Sequence, residues 1–182
     1  MSLSEGMIQP LWFSFLGQLL IFIYSPSIRT QSLLPADIWA QISRLRHFID
    51  EYPFPDPPAQ SEQRQSDPET DEEPPSHRKD YKVALKFFEH ATRQLELAGP
   101  HVESGMVFLW AYPLSKQFHE DVEAYHPAAL VLLAHYCVLL HTIDHFWYIN
   151  GVGRQLLEDI ESKMHPGFQE WLIWPRKWVL QR

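Results

Sequence analysis

Within "HPAALVLLAHYCVLLHTIDHFWY", the thirteen residues Ala128 to Leu140 contain a single strongly polar side chain, His135. As a helix such a run is about 20 Å long, whereas about twenty apolar residues are needed to cross a bilayer. It is too short to span a membrane and too apolar to face water. A helix that is apolar all round and flanked by amphipathic ones has to be packed on every side by them. The run therefore predicts the buried central helix of an all-α bundle.

The surrounding sequence supplies the covering layers. In "YKVALKFFEHATRQLEL" the residues Tyr81, Ala84, Phe88, Ala91 and Leu95 form one apolar stripe, with Asp80 placed to cap the start and Gly99-Pro100 to stop the end. "GMVFLWAY" is a short apolar run ended by Pro113. Ser115 then opens "KQFHEDVEAY", where Phe118, Val122 and Tyr125 keep helical spacing. Asn150-Gly151 predicts a turn, "VGRQLLEDIESKM" sets Val152, Leu156, Ile160 and Met164 on one face, and Pro166 and Pro175 bracket "GFQEWLIW". Upstream, "LPADIWAQISRLRHFIDEY" gives an amphipathic helix through Ile38, Ile42, Leu45 and Ile49, with Pro35 suited to its first turn.

Charge and proline set the boundaries. Residues 52–80 hold seven of the fifteen prolines and eight acidic against three basic side chains, a net of -5. Proline removes backbone donors, like charges repel, and too few apolar groups remain to offset ordering entropy. The segment reads as a disordered acidic linker, with an acidic activation segment as the alternative. The domain reading is then an apolar N-terminal segment (1–28), an amphipathic helix (29–51), the linker (52–80) and a helical domain (81–182). Within the first of these, Met7 to Tyr24 is largely apolar. Glu5 but no basic residue precedes it and Pro10 sits inside it, which argues against a signal peptide. A buried helix is the preferred reading and membrane insertion the alternative.

Composition excludes several function classes. With a formal net charge of -8 and scattered Lys and Arg, the chain lacks the basic footprint that phosphate contacts require. Cys137 is the only cysteine, so neither an internal disulfide nor a multi-cysteine zinc module can form. His141, Asp144 and His145 spell H-x-x-D-H, close to the H-x-x-E-H of one zinc peptidase class. Aspartate there is one methylene short, and only Glu158, Glu161 and Glu170 could supply a third ligand. The preferred reading is structural, with no metal and no catalytic residue, and with His135 as a satisfied core histidine. No serine or cysteine stands in a nucleophile motif.

From Tyr81 onward the ordered series "YKVALKFFEHATRQL", "GMVFLWAYPLSKQF", "HPAALVLLAHYCVLLH", "FWYINGVGRQLLEDI" and "FQEWLIWP" resembles the C-terminal regulatory region of fungal zinc-cluster transcription factors, in particular the group similar to the sterol uptake control protein. "LPADIWAQISRLRHFI" looks like a helix found just upstream of that region. The resemblance implies a non-enzymatic, all-helical, effector-responsive domain of a nuclear transcription factor, taking an apolar small-molecule effector or a protein partner. The family's DNA-binding head holds zinc with six cysteines, and this chain has one. Zinc as a cofactor and direct nucleic-acid binding are therefore not expected of it, and either a truncated reading frame or a natural relative without the head accounts for the difference. Trp110, Tyr136, Phe146, Trp147, Trp171 and Trp174 are the candidates to line an apolar ligand site, although helical aromatic stripes are ordinarily core. The alternative function is a membrane-anchored or lipid-binding helical protein using the N-terminal run.

Overall fold

The computed structural model describes residues 34–54 and 77–180. The apolar run at Met7–Tyr24 and the interior of the acidic segment, residues 55–76, lie outside the described residues, and so do the membrane and disorder expectations placed on them. Among the described residues the fold is all-α. The α-helices are α1 (Ile38–Glu51), α2 (His77–Ala98), α3 (Ser104–Phe108), α4 (Lys116–Glu123), α5 (Pro127–Thr142), α6 (Val152–Lys163) and α7 (Ile173–Val179), with 3-10 turns at Gly99–His101 and Pro166–Leu172.

The apolar run is α5, opened by Pro127 in its first turn, and it is buried from Ala128 to Leu140 without a break. Each fully buried Leu, Val or Ile contributes on the order of 1.5–3 kcal/mol, so this one helix carries a large share of the favourable term. The other helices bury the stripes that the sequence predicts. These are Tyr81, Ala84, Phe88, Ala91 and Leu95 on α2, Phe118 and Val122 on α4, and Ile38, Ile42, Leu45 and Ile49 on α1. His135 is buried, stacks on Trp174 with centroids 5.4 Å apart, and donates its Nδ1–H to the Val131 carbonyl at 2.8 Å.

α6 lies closest to α5, and one residue permits it. A Cβ built on Gly153 would stand 2.8 Å from the Cys137 carbonyl oxygen and 3.3 Å from both the His141 nitrogen and the Leu140 Cβ. The buried face of α6 therefore runs through Gly153, Leu157, Ile160 and Met164. Val152 and Leu156, expected at its centre, lie at its edge, because the glycine turns toward α5 instead. Gly151, at φ +79°, makes the predicted turn into this helix.

α1 lies antiparallel along α2. Trp39 packs under Arg93, Arg46 pairs with Glu89, Asp50 pairs with Lys82 at 2.8 Å, and the Tyr52 carbonyl accepts from Arg78 at 3.0 Å. Its other side meets the C-terminal end of the chain. Phe48 packs on Trp171 with centroids 4.6 Å apart, Arg44 lies over the Trp171 ring at 4.4 Å, and Asp37 accepts from the Trp174 indole at 3.0 Å.

Four local expectations are corrected. α2 begins at His77, so Asp80 sits in its first turn rather than capping it, where its charge still suits the helix N-terminus. α1 begins at Ile38, and Pro35 precedes the helix, its carbonyl accepting from Ile38 at 3.1 Å. Tyr125 adopts φ +56° and turns out to solvent, so the buried face of α4 is completed by Asp121 instead. Pro175 lies inside the first turn of α7, where a missing N–H has no helical acceptor to lose. Ser115 caps α4 as predicted, its hydroxyl accepting from the Phe118 N–H at 3.1 Å.

The α5–α6 contact yields a prediction. Gly153→Ala gains about 1 kcal/mol of helix propensity but forces two backbones apart at a cost of about 2–3 kcal/mol. A net loss of stability of about 1–2 kcal/mol is expected in urea unfolding. Unchanged or raised stability would mean that the helices do not meet this closely.

Candidate functional site

The six aromatic candidates fall into three places. Trp110 and Tyr136 are buried and stack at 4.3 Å between centroids, with the Trp110 indole donating to the Ala84 carbonyl at 2.9 Å. The Tyr136 hydroxyl is buried with no hydrogen-bond partner among the described residues. Trp171 and Trp174 meet α1, as described above, Trp174 buried and Trp171 partly so. Phe146 and Trp147 follow α5 in the turn before α6. Phe146 packs on His145 and Tyr148, while Trp147 is 77% exposed and meets Tyr148 edge-on. Of the six, the fold stacks Trp110 on Tyr136 and places the others at two further positions.

A second cluster, built on polar groups, joins α2, α4 and the start of α5. Asp121 on α4 is 8% exposed, and its Oδ2 accepts from the Tyr81 hydroxyl of α2 at 2.8 Å while its Oδ1 accepts from Gln117 at 3.0 Å. His77 Nδ1 stands 3.8 Å from the same Oδ2, at charge-pair distance. Since the tyrosine proton goes to Asp121, the Tyr81 oxygen is left to accept from His126 Nδ1, 3.3 Å away at the start of α5. Aromatic rings close the cluster. Phe54 packs on Tyr81 at 4.6 Å, Phe118 packs on Tyr81 at 5.2 Å, and Tyr52 lies 5.5 Å from His126 and 5.9 Å from Phe168.

Burial pushes the Tyr81 phenol far above its ordinary range, and its bond to Asp121 adds to that. An activated nucleophile requires the opposite shift, and the hydrogen bonds of the cluster tie α2, α4 and the start of α5 together. Burial likewise pushes Tyr52 up and lowers His126, Asp121 working against the latter. The sequence reading missed this cluster. The available signal was an aspartate on the apolar flank of α4, one position before Val122, but its tyrosine partner lies forty residues upstream.

The H-x-x-D-H stretch is a turn clamp. His141 Nδ1 stands 3.1 Å from Asp144 Oδ2, Asp144 Oδ1 accepts from the Gly151 N–H at 2.9 Å, and its carbonyl accepts from the Asn150 amide at 2.7 Å. His145 instead stacks on Phe146 at 4.2 Å. Among the described residues no three His, Cys, Asp or Glu side chains are grouped to hold a metal ion. Cys137 lies inside α5, its thiol donating to the Leu133 carbonyl at 3.3 Å, and burial pushes its pKa far up. A lone buried thiol does not fit a six-cysteine zinc cluster. No single helix among the described residues is long and apolar enough to cross a membrane. α4 and α5 reach the length only as a pair bent by 95°.

The buried His135 and the half-buried His126 set a pH dependence. Burial holds His135 down at about 4 and lowers His126, so the unfolded chain, with ordinary histidines near 6.5, takes up protons first as the pH falls. Their contribution is therefore complete above about pH 6.5 and is lost on the acid side, on the order of 3 kcal/mol for His135 by about pH 4. Urea unfolding of the wild type should show that loss. His135→Gln should flatten it and His126→Gln should shorten it at the upper end, whereas an unaltered slope in both variants would contradict the assignment.

No protein-family model matches the chain, and no solved structure matches it. A Zn(2)-C6 fungal-type transcription factor of Gibberella zeae is 29% identical over 90 residues, which cover 48% of this chain. The chain spans 18% of that relative's length, so the likeness is to a part of that transcription factor.

Proposed function

We propose that this chain is a non-enzymatic regulatory domain of the fungal zinc-cluster transcription factor type, acting in the nucleus and responding to an apolar effector. The observation that carries the reading is the 90-residue likeness to a Zn(2)-C6 fungal-type transcription factor, together with an all-helical fold whose interior is rich in aromatics. DNA contact belongs to another polypeptide region in this reading, since the chain carries a net charge of -8 and one buried cysteine.

Support for an effector is chemical. A small-molecule site is mostly apolar with a few placed polar groups. The Tyr136 hydroxyl, buried beside Trp110 without a partner among the described residues, is a polar group that a single ligand hydroxyl would satisfy. A flat apolar molecule bearing one hydroxyl, the description of a sterol, has the matching chemistry.

The test has two parts. Fused to a heterologous DNA-binding domain in a fungal cell, the chain should change reporter transcription several-fold relative to that domain alone, and sterol depletion should alter the change. Added sterol should raise the thermal midpoint of the full chain, the stabilisation being about 2.7 kcal/mol at a hundredfold excess over Kd. Tyr136→Phe should remove the sterol effect while leaving the free chain folded. Identical reporter output from fused and bare domains would overturn the regulatory reading. A regulated reporter with no sterol shift would overturn the effector reading alone.

A further inference from the structure

Antiparallel helix neighbours are ordinarily joined by two to eight residues. The C-terminal end of α1 and the start of α2 are already side by side, since Arg78 donates to the carbonyls of Ile49, Asp50 and Tyr52, and Phe54 packs on Tyr81. Yet residues 55–76 intervene, far more chain than the junction needs.

What holds α1 is contact. One side of it offers Ile42, Leu45, Phe48 and Ile49 to the bundle, the helix-in-groove pattern of anchors at successive turns. The receiving surface is formed by α2, the 166–172 turn and α7. Phe168 and Trp171 take Phe48, Trp174 takes Asp37, and Glu89 and Lys82 take Arg46 and Asp50. The contact also leaves polar atoms of α1 inside it. Asp37 Oδ1 and Gln41 Oε1, both on the α1 side, are buried without hydrogen-bond partners among the described residues.

We infer that the surface of α2, the 166–172 turn and α7 is a helix-binding groove, that the segment 34–54 is its cis occupant, and that the same segment supplied in trans takes its place once the cis copy is freed. The inference does not rest on the transcriptional reading. It makes α1 a docked element of the same folded unit as α2–α7.

The experiment uses the full chain with a protease site placed at residues 62–67. After cleavage the two pieces should co-elute in gel filtration with unchanged helical circular dichroism. A fluorescent peptide of residues 34–54 should then bind the cleaved complex, exchanging with the resident segment, and should bind the uncut chain at least about a hundredfold more weakly, because the tether favours the cis copy. The peptide carrying Ile42→Asp and Leu45→Asp should bind neither, a control that leaves the folding of the host untouched. Separation or unfolding of the pieces on cleavage would overturn the groove. A complex that survives cleavage but never exchanges the peptide would overturn the exchange and make α1 ordinary core. Dimers of the uncut chain that exchange α1 between copies would overturn the cis assignment.

Discussion

The burial of α5 on all sides is the constraint from which the rest of the architecture follows. Sixteen residues with scarcely a polar group can be dissolved only in other side chains, so each remaining helix needs an apolar face and a place around this one. α6 achieves the closest approach because Gly153 has no Cβ to hold it off. α2, α4 and α7 complete the wall. α1 is carried one layer further out, against α2 and the C-terminal turn.

Polar groups inside this arrangement divide into two kinds. His135, Cys137, Thr92 and Thr142 bond to carbonyls three or four residues back in their own helices, which satisfies them without fixing how helices meet. The Tyr81–Asp121–His126 cluster bonds across helices, and buried networks of that kind specify one arrangement over others. Apolar packing supplies most of the favourable energy, whereas this cluster fixes how α2, α4 and the start of α5 are set against each other.

The apolar stripes of α1, α2, α4 and α5 were legible in the sequence because periodicity reports which face is buried. Periodicity does not report the partner, and the misses follow from that. Asp121 sits on an apolar flank, and only a tyrosine forty residues away makes its burial tolerable. Val152 and Leu156 had the right spacing, but a glycine decides which side of α6 meets α5. The six aromatics were grouped by type, and the fold distributes them over three places, because residue type does not report which neighbours a ring packs against. The neighbour relation of α1 and α2 was hidden by the long acidic segment between them. The part-length likeness to a Zn(2)-C6 fungal-type transcription factor agrees with the family resemblance read from the ordered motif series, to which no site chemistry contributed.

Native-state hydrogen exchange of the full chain tests the central claim most directly. If α5 is the core on which every other helix depends, the amides of Leu130 to Leu139 should exchange only through global unfolding, with the same free energy as urea denaturation, while α1 opens at lower cost. Amides of α5 that exchange through a smaller opening than those of α2 or α6 would contradict the account.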